Sequence, residues 1–179
     1  AQDPDVIYVA SDDGLPRSLD GGQTWERLPD LFHPQYGCFR SYPVPHPTAA
    51  GVVYAATGQC EGMGLLPGEG GVFYSDDYGD TWVKRTVGLT DTDLVDLAFH
   101  PADPDTMAAA TFAGNVFTTT DGGLTWYWAA DLDRQLRRIY FNPSGAHEAW
   151  IVPHAESQPP AAPYLLKSTD AGLTTWNTV

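Results

Sequence analysis

The sequence predicts an all-β fold, a β-propeller of four-stranded antiparallel blades, with about four blades present in an incomplete ring. Three observations predict it. One turn motif occurs four times, the text leading into each turn recurs with it, and no window carries helical periodicity.

The turn is the frame Ser/Thr-x-Asp-x-Gly-x-Thr-Trp. Its copies use Ser18, Asp20, Gly22, Thr24 and Trp25, then Ser75, Asp77, Gly79, Thr81 and Trp82, then Thr119, Asp121, Gly123, Thr125 and Trp126. The fourth uses Ser168, Asp170, Gly172 and Trp176, with one extra Thr before the Trp. The Asp recurs at intervals of 57, 44 and 49 residues. Such a frame describes a self-sufficient hairpin corner. The carboxylate accepts backbone N–H groups a few residues on, as in an Asx turn. Glycine takes a positive φ without penalty, and the Trp opens the next strand with a large apolar face.

The flanking text supplies the other strands. Asp3-Pro-Asp5 before Val6-Ile-Tyr-Val-Ala matches Asp103-Pro-Asp105 before Thr106-Met-Ala-Ala-Ala, and Gly51 before Val52-Val-Tyr-Ala-Ala takes the same place in between. A full unit reads as strand A ending in His-Pro or Asn-Pro, strand B, strand C ending in the Asp turn, and strand D beginning at its Trp. In the third unit these fall at about 94–99, 106–111, 115–120 and 126–130. Units of ~50 residues with four strands each point to propeller blades. The blades are placed at 1–29 (partial), 38–87, 93–131 and 135–179.

That partition yields fifteen strands and an open ring, since residues 1–5 already lie in the first A–B turn. An open ring exposes strand edges and a blade face. Three solutions follow, in this order of preference: a fragment of a larger propeller, two copies completing one ring, and a four-blade ring lacking one strand. The extra Thr in the fourth turn predicts a β-bulge at Thr174–Thr175, which would return Trp176 to the proper face. A frayed terminal blade is the alternative.

The Ser/Thr-x-Asp-x-Gly-x-Thr-Trp frame resembles the Asp-box, or bacterial neuraminidase repeat. The chain looks like the propellers of sialidases, xyloglucan-cleaving glycoside hydrolases, sortilin-type receptors and the photosystem II assembly factor. The stretch from Gly71 to Trp82, Gly-Val-Phe-Tyr-Ser-Asp-Asp-Tyr-Gly-Asp-Thr-Trp, is similar to the last three above all. The resemblance implies that the Asp boxes lie at the propeller periphery and build the fold, away from the ligand face. Sialidase activity is not expected. Phe39-Arg40-Ser-Tyr-Pro43 only loosely matches that family's Phe/Tyr-Arg-Ile-Pro element, and few other arginines are available.

Composition removes several classes of function. The formal charge is −14, with nine Lys and Arg against 23 Asp and Glu, so a phosphate backbone or an anionic membrane would be repelled. No window approaches the ~18 apolar residues of a membrane span. Neither an initiator Met nor a signal segment is present, so the text reads as a mature or trimmed protein. The acidic surface and the cysteine placement point to an extracellular or periplasmic, secreted setting.

Candidate sites lie on the face carrying the B–C and D–A connections, where segments 28–38, 58–70 and 154–162 are long; loops on a rigid scaffold are where binding concentrates. Cys38 just precedes strand A of the second blade and Cys60 just follows its strand B. Antiparallel pairing brings those positions together, so a disulfide closing a 23-residue segment is expected, worth roughly 3 kcal/mol. Two unpaired thiols are the alternative. Aligning His46-Pro47, His100-Pro101 and Asn142-Pro143 places Tyr42, Asp96 and Arg138 at one position of strand A. A charge on an inner strand needs a partner or water. Asp96 and Arg138 with Arg40 therefore form a channel-mouth ligand site or else a structural pairing or a solvated channel, the latter reading being preferred. Glu61 and His154 complete the candidate ligand face, with His33 and Glu156 as weaker members. No His/Cys spacing suits a metal, and no cofactor is expected.

Two functions compete. One is a non-catalytic platform binding a carbohydrate or protein ligand, which needs only a rigid face and loops. The other is a glycoside hydrolase, which needs two carboxylates facing each other about 5 or 6.5–9.5 Å apart. Glu61, Asp91, Asp93, Asp131 and Asp133 are available, but nothing marks a pair. The platform is preferred.

Overall fold

The computed structural model describes residues 3–9, 15–28, 39–59, 70–144, 147–154 and 165–179. Among them are fifteen strands and no helix. β1 (Ile7–Tyr8), β2 (Pro16–Ser18) and β3 (Glu26–Arg27) form the first sheet, and β4 (Phe39–Pro45), β5 (Val53–Gln59), β6 (Gly71–Ser75) and β7 (Val83–Lys84) the second. β8 (Leu94–His100), β9 (Asp103–Thr111), β10 (Asn115–Thr119) and β11 (Tyr127–Asp131) form the third. β12 (Leu136–Phe141), β13 (Ala149–Pro153), β14 (Leu166–Ser168) and β15 (Asn177–Thr178) complete the fourth. Each sheet runs in chain order with antiparallel neighbours, the arrangement of propeller blades, and the ring is not closed.

The turn motif fixes one register throughout. Ser18, Ser75, Thr119 and Ser168 stand opposite Ile7, Val53, Met107 and Ala149. In the first box the Ser18 hydroxyl donates to Asp20 at 2.8 Å and accepts the Gly22 N–H at 2.8 Å. The Thr24 N–H and hydroxyl donate to the same carboxylate at 2.8 and 2.6 Å. The second box repeats these bonds through Ser75, Gly79 and Thr81 around Asp77. In the third, Thr119 and the Thr125 N–H hold Asp121. Hydrogen bonds to the ionised form, led by the threonine hydroxyl, bring Asp20 and Asp77 down to about 2. The Thr125 N–H and Thr119 hydroxyl lower Asp121 likewise.

The fourth box absorbs its extra residue inside the turn. Lys167 pairs with Asn177 just as Arg17 pairs with Glu26, so the ladder is not displaced. Leu173 instead adopts φ 53°, and Thr174 and Thr175 donate successive N–H groups to the two Asp170 oxygens at 2.9 and 2.8 Å. The expected bulge at Thr174–Thr175 is thus a wider turn: a carboxylate has enough lone pairs to hold one more donor. Burial opposes ionisation of Asp170, but the Thr175 hydroxyl and both N–H groups outweigh it and its pKa is lowered.

Two apolar clusters join the sheets. The two-residue period sends Met107 and Ala109 of β9 to one side and Ala108 and Ala110 to the other. Met107, Ala109, Leu94, Leu97, Phe117 and Trp126 pack with Tyr54, Ala56 and Val72 of the second sheet. Ala108, Ala110, Val95 and Val116 pack with Leu136, Ile139, Ile151 and Leu166 of the fourth. The third sheet is therefore covered on both faces.

Candidate functional site

The first strands of successive sheets lie beside one another, β4 against β8 and β8 against β12. Two of them carry an irregularity at the same place. The β8–β9 register shifts between Leu94 and Asp96, and the β12–β13 register between Leu136 and Arg138. Bulges of this kind re-aim side chains. Here the Ile139 N–H donates to Asp96 Oδ2 at 3.0 Å, and Arg138 Nη1 lies 3.4 Å from Asp96 Oδ1. Asp96 is buried, Arg138 partly exposed. Burial pushes the Asp96 carboxyl up, opposed first by the Ile139 N–H and then by the Arg138 charge. The pair stitches the third sheet to the fourth.

His154 follows β13 at the same end of the sheets. Its N–H donates to the Gln135 carbonyl at 2.8 Å, and its ring meets Phe112 edge-on at 6.0 Å. Arg40 and Tyr42 occupy β4, paired through the backbone with Gly58 and Ala56. Cys38, Cys60 and Glu61, with the expected disulfide, lie outside the described residues, as do His33 and Glu156. Of the hydrolase candidates, Asp91 and Asp131 accept the Asp93 and Asp133 N–H groups at 3.1 and 2.9 Å, and Asp91 also takes the Asn115 amide. Those oxygens shape the D–A connections. No cluster of three metal-ligating side chains occurs among the described residues.

The opposite end of the sheets holds contacts that sequence reasoning missed. Tyr8 donates its hydroxyl to the Tyr78 carbonyl at 2.9 Å, and Tyr54 donates to the Gly122 carbonyl at 2.9 Å. Each acceptor directly follows a box aspartate in the next sheet. A guanidinium reaches the same oxygen in both cases, Arg17 at 2.8 Å and Arg85 at 2.5 Å. Arg85 also lies 3.5 Å from the centre of the Tyr74 ring, a cation–π contact. Arg17 is buried and paired with Glu26 and Asp80. Burial raises both phenols to about 12, so they remain protonated donors. The shared tyrosine of Val6-Ile-Tyr8 and Val52-Val-Tyr54 marks only the donors in the sequence.

Fifteen strands in consecutive sheets, held by Asp-box corners, are matched by a family model. The sortilin-Vps10 model, described as sortilin, neurotensin receptor 3, covers residues 13–176. The chain belongs to the sortilin-Vps10 family. No curated protein sequence matches it. Among solved structures, this sortilin-family chain is similar to an ancestral GH74 enzyme, at 21% identity and TM-score 0.70 over 98% of this chain and 24% of that one. The GH74 xyloglucanase from Xanthomonas campestris gives 16% identity and TM-score 0.69, covering 98% and 29%. YCF48 bound to a D1 peptide gives 14% and 0.51, covering 98% and 65%. At these identities the likeness shows the fold. The chain spans about a quarter of the length of the GH74 structures. No helix among the described residues is long and apolar enough to cross a membrane.

Proposed function

We propose that the chain serves as a non-catalytic binding platform of an extracellular or periplasmic protein, holding a protein or carbohydrate ligand on the face where the B–C and D–A connections emerge. The observation that carries this reading is the Asp96–Arg138 pair. The buried acid of the inner strands is tied to an arginine and a backbone N–H across a sheet boundary, which joins two sheets into a rigid scaffold. Asp91 and Asp131 are likewise engaged in turns. Arg40, Tyr42, Glu61, Arg138 and His154 are the proposed contacts. The Asp boxes Ser18–Trp25, Ser75–Trp82, Thr119–Trp126 and Ser168–Trp176 are the structural corners of that scaffold. Peptide binding by the fold-related YCF48 supports a ligand of that class. Further sheets, from a longer parent chain or from a second copy, are proposed to complete the ring, with Cys38 and Cys60 closing their loop.

A glycan and peptide array combined with an oligosaccharide hydrolysis assay tests this. Retention of a ligand without turnover is expected, weakened at least tenfold by R138A. Turnover that disappears on changing a single Asp or Glu to its amide would overturn the platform in favour of a glycoside hydrolase.

A further inference from the structure

The box register places one residue of each strand beside the Asp-box strand, β1, β5, β9 and β13, in an equivalent position: Tyr8, Tyr54, Ala108 and Trp150 stand opposite Arg17, Tyr74, Thr118 and Lys167. At the first two sheet junctions this residue is the tyrosine that latches the next corner. At the third junction it is Ala108, which has no ring and no hydroxyl. A cleft of about 60 Å³ remains at the first junction, lined by Tyr8, His46, Val52 and Tyr78. Its counterpart at the third junction measures about 210 Å³ and is lined by His100, Thr106, Phe141, His147, Ala171 and Leu173.

The rings around that cleft repeat too, with one missing. At the second junction His46 meets the edge of Phe99 at 5.2 Å, and Tyr54 meets Phe99 at 5.4 Å. At the third, His100 meets Phe141 at 5.2 Å with nearly the same interplanar angle, 73° against 69°. No tyrosine completes the triad there; the third ring is His147, tilted 32° at 5.7 Å from His100 on the rim of the cleft. His100 is 6% exposed, and its Nδ1 accepts the Ala102 N–H at 3.4 Å, so Nε2 carries a proton. That Nε2 is buried without a hydrogen-bond partner among the described residues. An enclosed donor left unmatched is costly, and a cavity near 150 Å³ already suffices for benzene.

We propose that the cleft between the third and fourth sheets binds a phenol ring. The ring takes the place of the missing tyrosine against Phe141, and its oxygen accepts from His100 Nε2. The hydroxyl retains its proton to donate, as Tyr8 and Tyr54 do to their corner carbonyls; here the equivalent carbonyl belongs to Ala171. This site lies at the Asp-box end of the sheets, opposite the proposed ligand face.

The probe is p-cresol, titrated into the whole chain and followed by amide and imidazole NMR, with toluene as its isostere lacking the hydroxyl. Shifts at Ala171 and His100 are expected, and binding at least fivefold tighter than toluene. A108Y supplies the ring from the chain itself and is expected to weaken p-cresol at least tenfold. H100F keeps the shape of the cleft without its donor and should reduce p-cresol to the affinity of toluene. Binding of N-acetyl-tyrosine amide at the same residues would assign the ring to a polypeptide partner; binding of p-cresol alone would assign it to a free phenol. Absence of shifts at both residues, equal binding of toluene, or undiminished binding by folded A108Y overturns the proposal.

Discussion

The first and third Asp boxes share a motif and a hydrogen-bond scheme, yet their tryptophans have opposite fates. Trp126 is 2% exposed and donates its indole N–H to the Arg85 carbonyl of the preceding sheet at 3.0 Å. Trp25 is 47% exposed and donates to Gly22 within its own turn at 3.1 Å. Trp176 also bonds within its own turn, to Leu173 at 2.8 Å, but is partly buried against the cluster between the third and fourth sheets. The corner is thus complete without the indole. What the indole adds depends on whether a neighbouring sheet presents a carbonyl and an apolar wall, so one motif does local work at one place and tertiary work at another.

Replacing each tryptophan by alanine should separate the two roles most sharply. W126A removes a buried ring from the cluster between the second and third sheets and should cost about 3–5 kcal/mol, whereas W25A should cost about 1 kcal/mol or less, being largely solvated. Chemical denaturation of the two variants side by side measures the difference, and equal losses would remove the distinction.

A smaller contrast comes from glycines. Gly88 has φ +91°, and a Cβ there would run into the Trp126 carbonyl oxygen; Val87 accepts the Trp126 N–H at 2.8 Å beside it. Gly21 has φ +71° but meets only the Asp5 carboxylate, at an ordinary 3.5 Å. G88A should therefore cost about 2–3 kcal/mol, combining left-handed strain with displacement of the Trp126 backbone, and G21A about 1–2 kcal/mol from strain alone. Thermal midpoints of the pair give the ranking.

The smallest effect expected is electrostatic. Asp77 is depressed from 3.8 to about 2, so its carboxylate contributes stability that is fully present above pH 4 and is lost as pH falls through about 2. D77N should be less stable than the parent at pH 7, and the gap should close on acidification across that window. Asp96 has the reverse sign. Its raised pKa means that its contribution falls as pH rises through the folded value, so D96N should not show the acid-dependent convergence of D77N.

The corners were legible in sequence because every bond they need lies within five residues, and the Ser18, Asp20 and Thr24 chemistry repeats verbatim at Ser75, Asp77 and Thr81. The third sheet was legible as well, its four strands lying within a residue or a few of the expected places. The Asp96–Arg138 contact was only half legible. Alignment put both on equivalent positions of strand A, but the bulges that bring them together are set by packing of one sheet on another. The tyrosine latches were out of reach: their acceptors are carbonyls 70 and 68 residues away, and a backbone oxygen leaves no mark in the letters. The missing ring beside His100 shows only once register makes Ala108 the counterpart of Tyr54.

The latches also have a direction. Tyr8 and Tyr54 each reach forward in the chain, to a corner belonging to the sheet that comes next. During synthesis from the N-terminus, each phenol therefore stays hydrated until its successor's hairpin has left the ribosome. Docking then follows the order of translation, and a nascent chain stalled before Tyr78 or Gly122 leaves the last completed sheet unfastened.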